Sequence, residues 1–137
     1  MNLSFQEKSL WLMFASLVGV FGFYFVSVLP ADRVDLQPQQ VVFFVLAVVV
    51  LVIMAIVGHI VIAILERHRE TDGRDRLIAL KCVRNGSYVL ATGVFVALCA
   101  AVLTKGNFMF THVLLGFWVL AQLVEIGSQL SLLRRDK

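Results

Sequence analysis

The sequence predicts an all-α integral membrane protein, a four-helix bundle with both termini on the cytoplasmic side. Three observations carry that expectation. First, 60% of the 137 residues are hydrophobic and 15% are charged, against about 45–50% and about 25% for a soluble domain. Second, the apolar excess is gathered into four blocks, residues 10–29, 41–65, 77–103 and 108–133. A helix needs about 20 residues to cross a bilayer core of about 30 Å, so every block is long enough. Third, ten of the twelve Lys and Arg residues lie at the N-terminus, at the C-terminus, or between the second and third blocks and just into the third. Only Arg33 and Lys105 lie at the opposite ends of the blocks. Cytoplasmic segments carry the Lys/Arg excess, which orients the chain N-in and C-in. Residues 1–137 then form a single transmembrane domain with little left over for a soluble one.

The first block follows Lys8, as a secretory signal would. However, the run exceeds a usual signal core and ends in Val28, Leu29, Pro30 and Ala31 without a small-x-small cleavage site, so it reads as a retained span. Ser4 and Glu7 have the spacing of a capping box, which starts the helix just outside the membrane. Trp11 then falls at interface depth. Ala15, Gly19 and Gly22 share one side of this helix, the pattern of a close packing face. Pro30 and Pro38 bound the first outer loop, ending one helix and opening the next.

The second block is dominated by Val and Ile, with His59 its only strongly polar side chain. β-Branched residues lose helix propensity in water, but in lipid the backbone must pair internally. Most of this helix is therefore expected to face lipid. In the connection that follows, four arginines are balanced by Glu66, Glu70, Asp72 and Asp75. Such alternation makes a solvated, internally paired segment, and Asp72 is positioned to cap the third helix. Basic residues that flank spans and mingle with acids do not describe a nucleic-acid partner.

The third block carries Gly93, Ala97 and Ala101 at four-residue spacing, a second packing stripe. Lys81, Arg84, Asn85, Tyr88 and Thr92 cluster on one side of it. Cys82 and Cys99 are seventeen residues apart. That is about 25 Å along a helix, too far to bridge, so both read as small apolar fillers. The connection 105–107 is short enough to make the third and fourth helices an antiparallel hairpin.

The fourth block holds the most informative residue, Glu125. A carboxylate at membrane depth costs about 2.5–3.5 kcal/mol on insertion scales, so it asks for a partner. Gln122, Glu125 and Gln129 fall with Trp118 in one narrow arc of the helix. Two roles fit this stripe: hydrogen-bonding glue between helices, or the wall of a polar seam that binds a solute, proton or ion. Arg84 lies at similar depth on the neighbouring helix, which leads us to expect an Arg84–Glu125 pair, direct or through Tyr88 or water. His59 lies in the same layer and has two roles open to it, a proton-responsive member of the cluster or a single histidine bonded to a backbone carbonyl.

No cofactor or metal is expected. His59 and His112 are separated by roughly 20 Å of helix rise, and no HxxxH or ExxH pair occurs. The sequence contains no nucleophile elbow, phosphate loop or zinc-protease motif, so it is expected not to be an enzyme.

Asp72, Gly73, Arg74 and Asp75, then the run from Arg76 to Lys81, with Arg84 and Tyr88 beyond, resemble a juxtamembrane signature of small uncharacterised bacterial four-span inner-membrane proteins. Those read Asp-Glu-Arg-Asp, an apolar pair, a basic residue, Arg and Tyr; here Gly73 stands where Glu is usual. The resemblance implies a multi-pass protein of the bacterial inner membrane with a regulatory or sensing role. The expected function is that of a non-enzymatic accessory, regulatory or sensor subunit, acting through helix packing and the cluster of Glu125, Gln122, Gln129, Arg84, Tyr88 and His59. Its partners would be the lipid bilayer and another membrane protein or a second copy. The alternative is an oligomeric small transporter or channel subunit for an ion, proton or small solute.

Overall fold

Four helices form in chain order: α1 (Phe5–Val28), α2 (Pro38–Leu65), α3 (Gly73–Leu103) and α4 (Phe108–Arg135). The computed structural model describes residues 5–30, 34–65 and 73–135. All four helices are long and apolar enough to cross a membrane, so the protein has the form of a multi-pass membrane protein. The expected blocks match these helices to within five residues at every end, the helices running past the apolar cores into polar turns. The capping residues inferred for α1 and α3, Ser4 and Asp72, lie outside the described residues, though each helix begins at the next position.

The fold is all-α, as expected, and its four helices pack as an open row in the order α2, α1, α4, α3. Among the described residues α1 packs on α2 and α4, α3 packs on α4, and α2 and α3 do not meet. Two kinds of seam explain this order. Along α1, Leu10, Phe14, Leu17, Phe21, Tyr24 and Val28 recur at alternating spacings of four and three. That is the repeat of a knobs-into-holes seam. Leu17, Phe21, Tyr24 and Val28 join Phe108 and Val119 of α4 in one buried cluster, and Leu10 joins Ile126 and Leu130 in another. The pairing of low with high numbers makes α1 and α4 antiparallel.

The α3–α4 seam is built from small residues instead. Cys82, Gly86, Gly93 and Ala97 are buried along one side of α3. A Cβ at Gly86 would stand 3.0 Å from the carbonyl oxygen of Ala121, and one at Gly93 would run into Phe117. Small residues let the backbones approach closely, which supplies the packing that lipid cannot drive by the hydrophobic effect. Of the expected stripe, Gly93 and Ala97 are in this seam, while Ala101 is exposed. The other expected stripe, Ala15, Gly19 and Gly22, is exposed: no atom of the described residues lies within 4 Å of either glycine's missing Cβ, and Ala15 and Gly19 line an open recess of about 410 Å³ beside α2. The longer 4-3 series of large residues prevails on α1 because it buries more surface.

α2 keeps most of its apolar surface outward, as its Val/Ile composition led us to expect. Its start is fixed locally. Pro38 occupies the first helical position, where its fixed φ suits and its missing N–H is not needed. Gln40 reaches back and its Oε1 accepts the Gln37 N–H at 3.0 Å, half of a capping box.

The α1–α2 and α3–α4 connections are tied together. Asn107 Oδ1 accepts the Leu36 N–H at 2.9 Å, and the Phe108 N–H donates to the Val34 carbonyl at 3.2 Å. Gly106 adopts φ 78°, and a Cβ there would also strike Val34. At the other end Arg134 lies 5.6 Å over the Trp11 ring. Both inter-hairpin ends are thereby matched, with the chain running up, down, up, down.

Candidate functional site

The stripe on α4 is present but divided. Gln129 is buried, while Gln122 and Glu125 are half-buried. Gln122 opens on to a recess of about 150 Å³ between α1, α2 and α4, beside Leu51 and Ala55. Glu125 turns the other way, towards α3. Its Oε2 would lie 3.4 Å from a Cβ on Gly86, one turn from Cys82. The small-residue stripe of α3, and not its polar one, therefore meets the carboxylate.

Arg84 and Glu125 form no pair directly or through Tyr88. Arg84 and Tyr88 are exposed, Tyr88 to 66%. They do share one side of α3, as read from the sequence. That side points away from α4, because Gly86 and Gly93 claim the interface. On a helix, positions 84 and 88 each lie about 200° from position 86. The side chain of His59 lies outside the described residues. Neither glutamine nor Glu125 forms a hydrogen bond or ion pair with another side chain or backbone group of the described residues. Among the described residues, these three side chains therefore do not hydrogen-bond one helix to another.

Hydroxyls on the same helices are handled differently. Ser16, Ser27, Ser87, Thr92 and Thr104 each donate to the carbonyl four residues earlier, at 2.6–2.9 Å. This local bond satisfies a hydroxyl at membrane depth without a second helix. Glutamine and glutamate side chains are too long to do the same comfortably.

The buried polar pair that the sequence reading missed lies at the end of the row where the α1–α2 and α3–α4 connections are tied. Tyr24 of α1 and His112 of α4 are both buried, and the tyrosine hydroxyl and His112 Nε2 are 3.2 Å apart. His112 Nδ1 lies 2.8 Å from the Phe108 carbonyl. A carbonyl only accepts, so in the neutral ring the proton sits on Nδ1 and the tyrosine donates to Nε2. The two rings stack with centroids 5.9 Å apart at 9°, and Phe108 covers His112 at 4.1 Å. The signal was legible: both residues occupy heptad positions of the seam. Glu7, at a capping position by its spacing from Ser4, is 1% exposed and engaged with a neighbour.

Beside this pair lies a recess of about 680 Å³, open between α2 and α3. Phe21, Tyr24, Phe44 and Trp118 wall it, with Gln40 and Thr111 at the end nearest those connections. Among the described residues no group of three or more His, Cys, Asp or Glu side chains is placed to hold a metal ion. Comparison with protein-family models, with curated proteins and with solved structures found no match.

Proposed function

We propose that this chain is a non-enzymatic accessory or sensor subunit of a membrane assembly, whose Glu125 seam is completed by another membrane protein or a second copy. One observation carries the reading. Glu125, with Gln122 and Gln129, lies within an apolar helix and has no hydrogen-bonding partner among the described residues. An intramembrane carboxylate costs about 2.5–3.5 kcal/mol, and such groups face a bundle interior or a partner. The open row supports the same reading, since α2 and α3 leave the faces of α1 and α4 between them uncovered. The exposed Ala15, Gly19 and Gly22 stripe is a further surface on which another helix can approach closely.

The Lys/Arg asymmetry supports an N-in, C-in orientation. The likeness of residues 72–88 to small bacterial inner-membrane proteins supports that location. Transport or conduction requires a continuous polar route. Gln122 lines the recess beside α1 and α2 while Glu125 leans on Gly86 of α3, so the two do not share one opening and the accessory reading is preferred.

The test is affinity purification of the tagged full chain from native membranes in mild detergent, with the mass of the complex measured. The wild type is expected to carry a second membrane protein or a second copy, and Glu125→Leu to lose it while remaining folded. A monomer without companions, or a complex indifferent to Glu125→Leu, overturns the proposal.

A further inference from the structure

We infer that the recess beside Tyr24 and His112 binds an uncharged, planar, carbonyl-bearing ring with an apolar tail, the chemistry of a lipid-soluble quinone. The inference is independent of the Glu125 seam and lies in the other half of the protein.

Three observations carry it. The first is an unused donor. Gln40 is 6% exposed and its Oε1 is taken by the Gln37 N–H. Because that N–H requires an oxygen, the amide nitrogen is the other atom, with both its hydrogens free. No fully enclosed side-chain polar atom among the described residues lacks a partner. The Gln40 amide nitrogen is therefore not fully enclosed, and its residue lines the recess. Thr111 lines the same end, and its hydroxyl forms no bond among the described residues, unlike the five back-bonded hydroxyls elsewhere. Two helices thus bring a hydrogen-bond donor each to the lining of one recess.

The second observation is shape. At about 680 Å³ the recess falls within the usual range for small-molecule sites, about 300–1,000 Å³. It runs from Thr111 to Trp118 along α4, about 10 Å of helix rise. That depth holds one ring and the start of a tail. Phe21 meets Trp118 edge-on at 5.8 Å, and Tyr24 meets Phe44 at 6.2 Å. These mutual contacts hold the rings as rigid walls, and the Tyr24–His112 bond fixes the floor. Flat aromatic walls favour a flat guest through offset or edge contacts.

The third observation is charge. No Lys, Arg, Asp or Glu lines the recess. A phosphate head would lose its hydration there without a counter-charge, which is strongly unfavourable. A neutral carbonyl needs only the donors that Gln40 and Thr111 offer. The opening lies between α2 and α3, so the guest enters sideways from the lipid phase and its tail remains there.

The experiment measures quenching of Trp118 fluorescence in the full chain carrying Trp11→Phe, reconstituted in nanodiscs and titrated with a decyl-substituted benzoquinone. Saturable quenching is expected, with apparent Kd at least tenfold weaker in Gln40→Glu, which keeps the capping oxygen and removes the donor. Thr111→Val is expected to weaken binding several-fold, and it provides the reading without touching the cap if Gln40→Glu fails to fold. Linear, partition-like quenching overturns the inference. So does equal binding by both variants, or equal displacement by decylbenzene or by added phospholipid.

Discussion

The Tyr24 hydroxyl lies 3.2 Å from His112 Nε2 across the α1–α4 seam, while His112 Nδ1 holds the Phe108 carbonyl at 2.8 Å. The phenol, the imidazole and a helix-end carbonyl form one continuous chain of hydrogen bonds. It lies in the α1–α4 seam, the one helix-to-helix packing between the two hairpins among the described residues.

Tyr24→Phe leaves Nε2 buried without its donor. Inter-helix hydrogen bonds in membranes are worth about 0.6–2 kcal/mol, and a loss of that size is expected in reversible unfolding in mixed micelles. Pairing Tyr24→Phe with His112→Leu is expected to cost less than the sum of the single changes. Additive costs would show that the two side chains are not coupled.

Glu125 and Arg84 are predicted to be energetically independent. Glu125→Gln and Arg84→Gln should add to within about 0.3–0.5 kcal/mol in the same assay. Glu125→Leu should raise the stability of the isolated chain, because a solvation cost disappears and no internal bond is lost. A destabilised Glu125→Leu monomer would reveal an intrachain partner.

Glycines on the two small-residue stripes should respond differently. Gly93→Ala drives a methyl into Phe117 at the α3–α4 seam, and overpacking of this kind costs about 1–3 kcal/mol. Gly19→Ala and Gly22→Ala meet open space within the chain and are expected to change monomer stability by less than about 0.5 kcal/mol. If Gly22→Ala alters the mass of the purified complex, this stripe contacts the partner.

The tie between the α1–α2 and α3–α4 connections is expected to be measurable. Asn107→Ala removes the acceptor of the Leu36 N–H, a loss of about 0.5–1.5 kcal/mol. Faster amide exchange at Leu36 would localise the effect.

Much of the architecture was legible in residue order. Twenty-residue apolar blocks become helices in lipid because no other backbone arrangement satisfies its own polar groups. Pro38 and the 105–107 connection marked their turns for equally local reasons. The candidate site was legible only in part. The arc of Gln122, Glu125 and Gln129 and the arc of Arg84 and Tyr88 were both read with the right periodicity. Their mutual facing was not, because a helix wheel gives relative angles and no absolute rotation.

That rotation is a tertiary quantity. On α3 two faces competed for α4: one could offer an ion pair from Arg84, the other close backbone approach at Gly86 and Gly93. The small face prevails because dispersion between tightly packed backbones extends along the whole seam, whereas one ion pair acts at a point and must first be desolvated. The residue order by itself determined that there are four helices, where each begins and ends to within five residues, and which side chains share a face. Only the packing decided that the row is open, that Glu125 looks at a glycine, and that the buried polar pair is Tyr24 with His112.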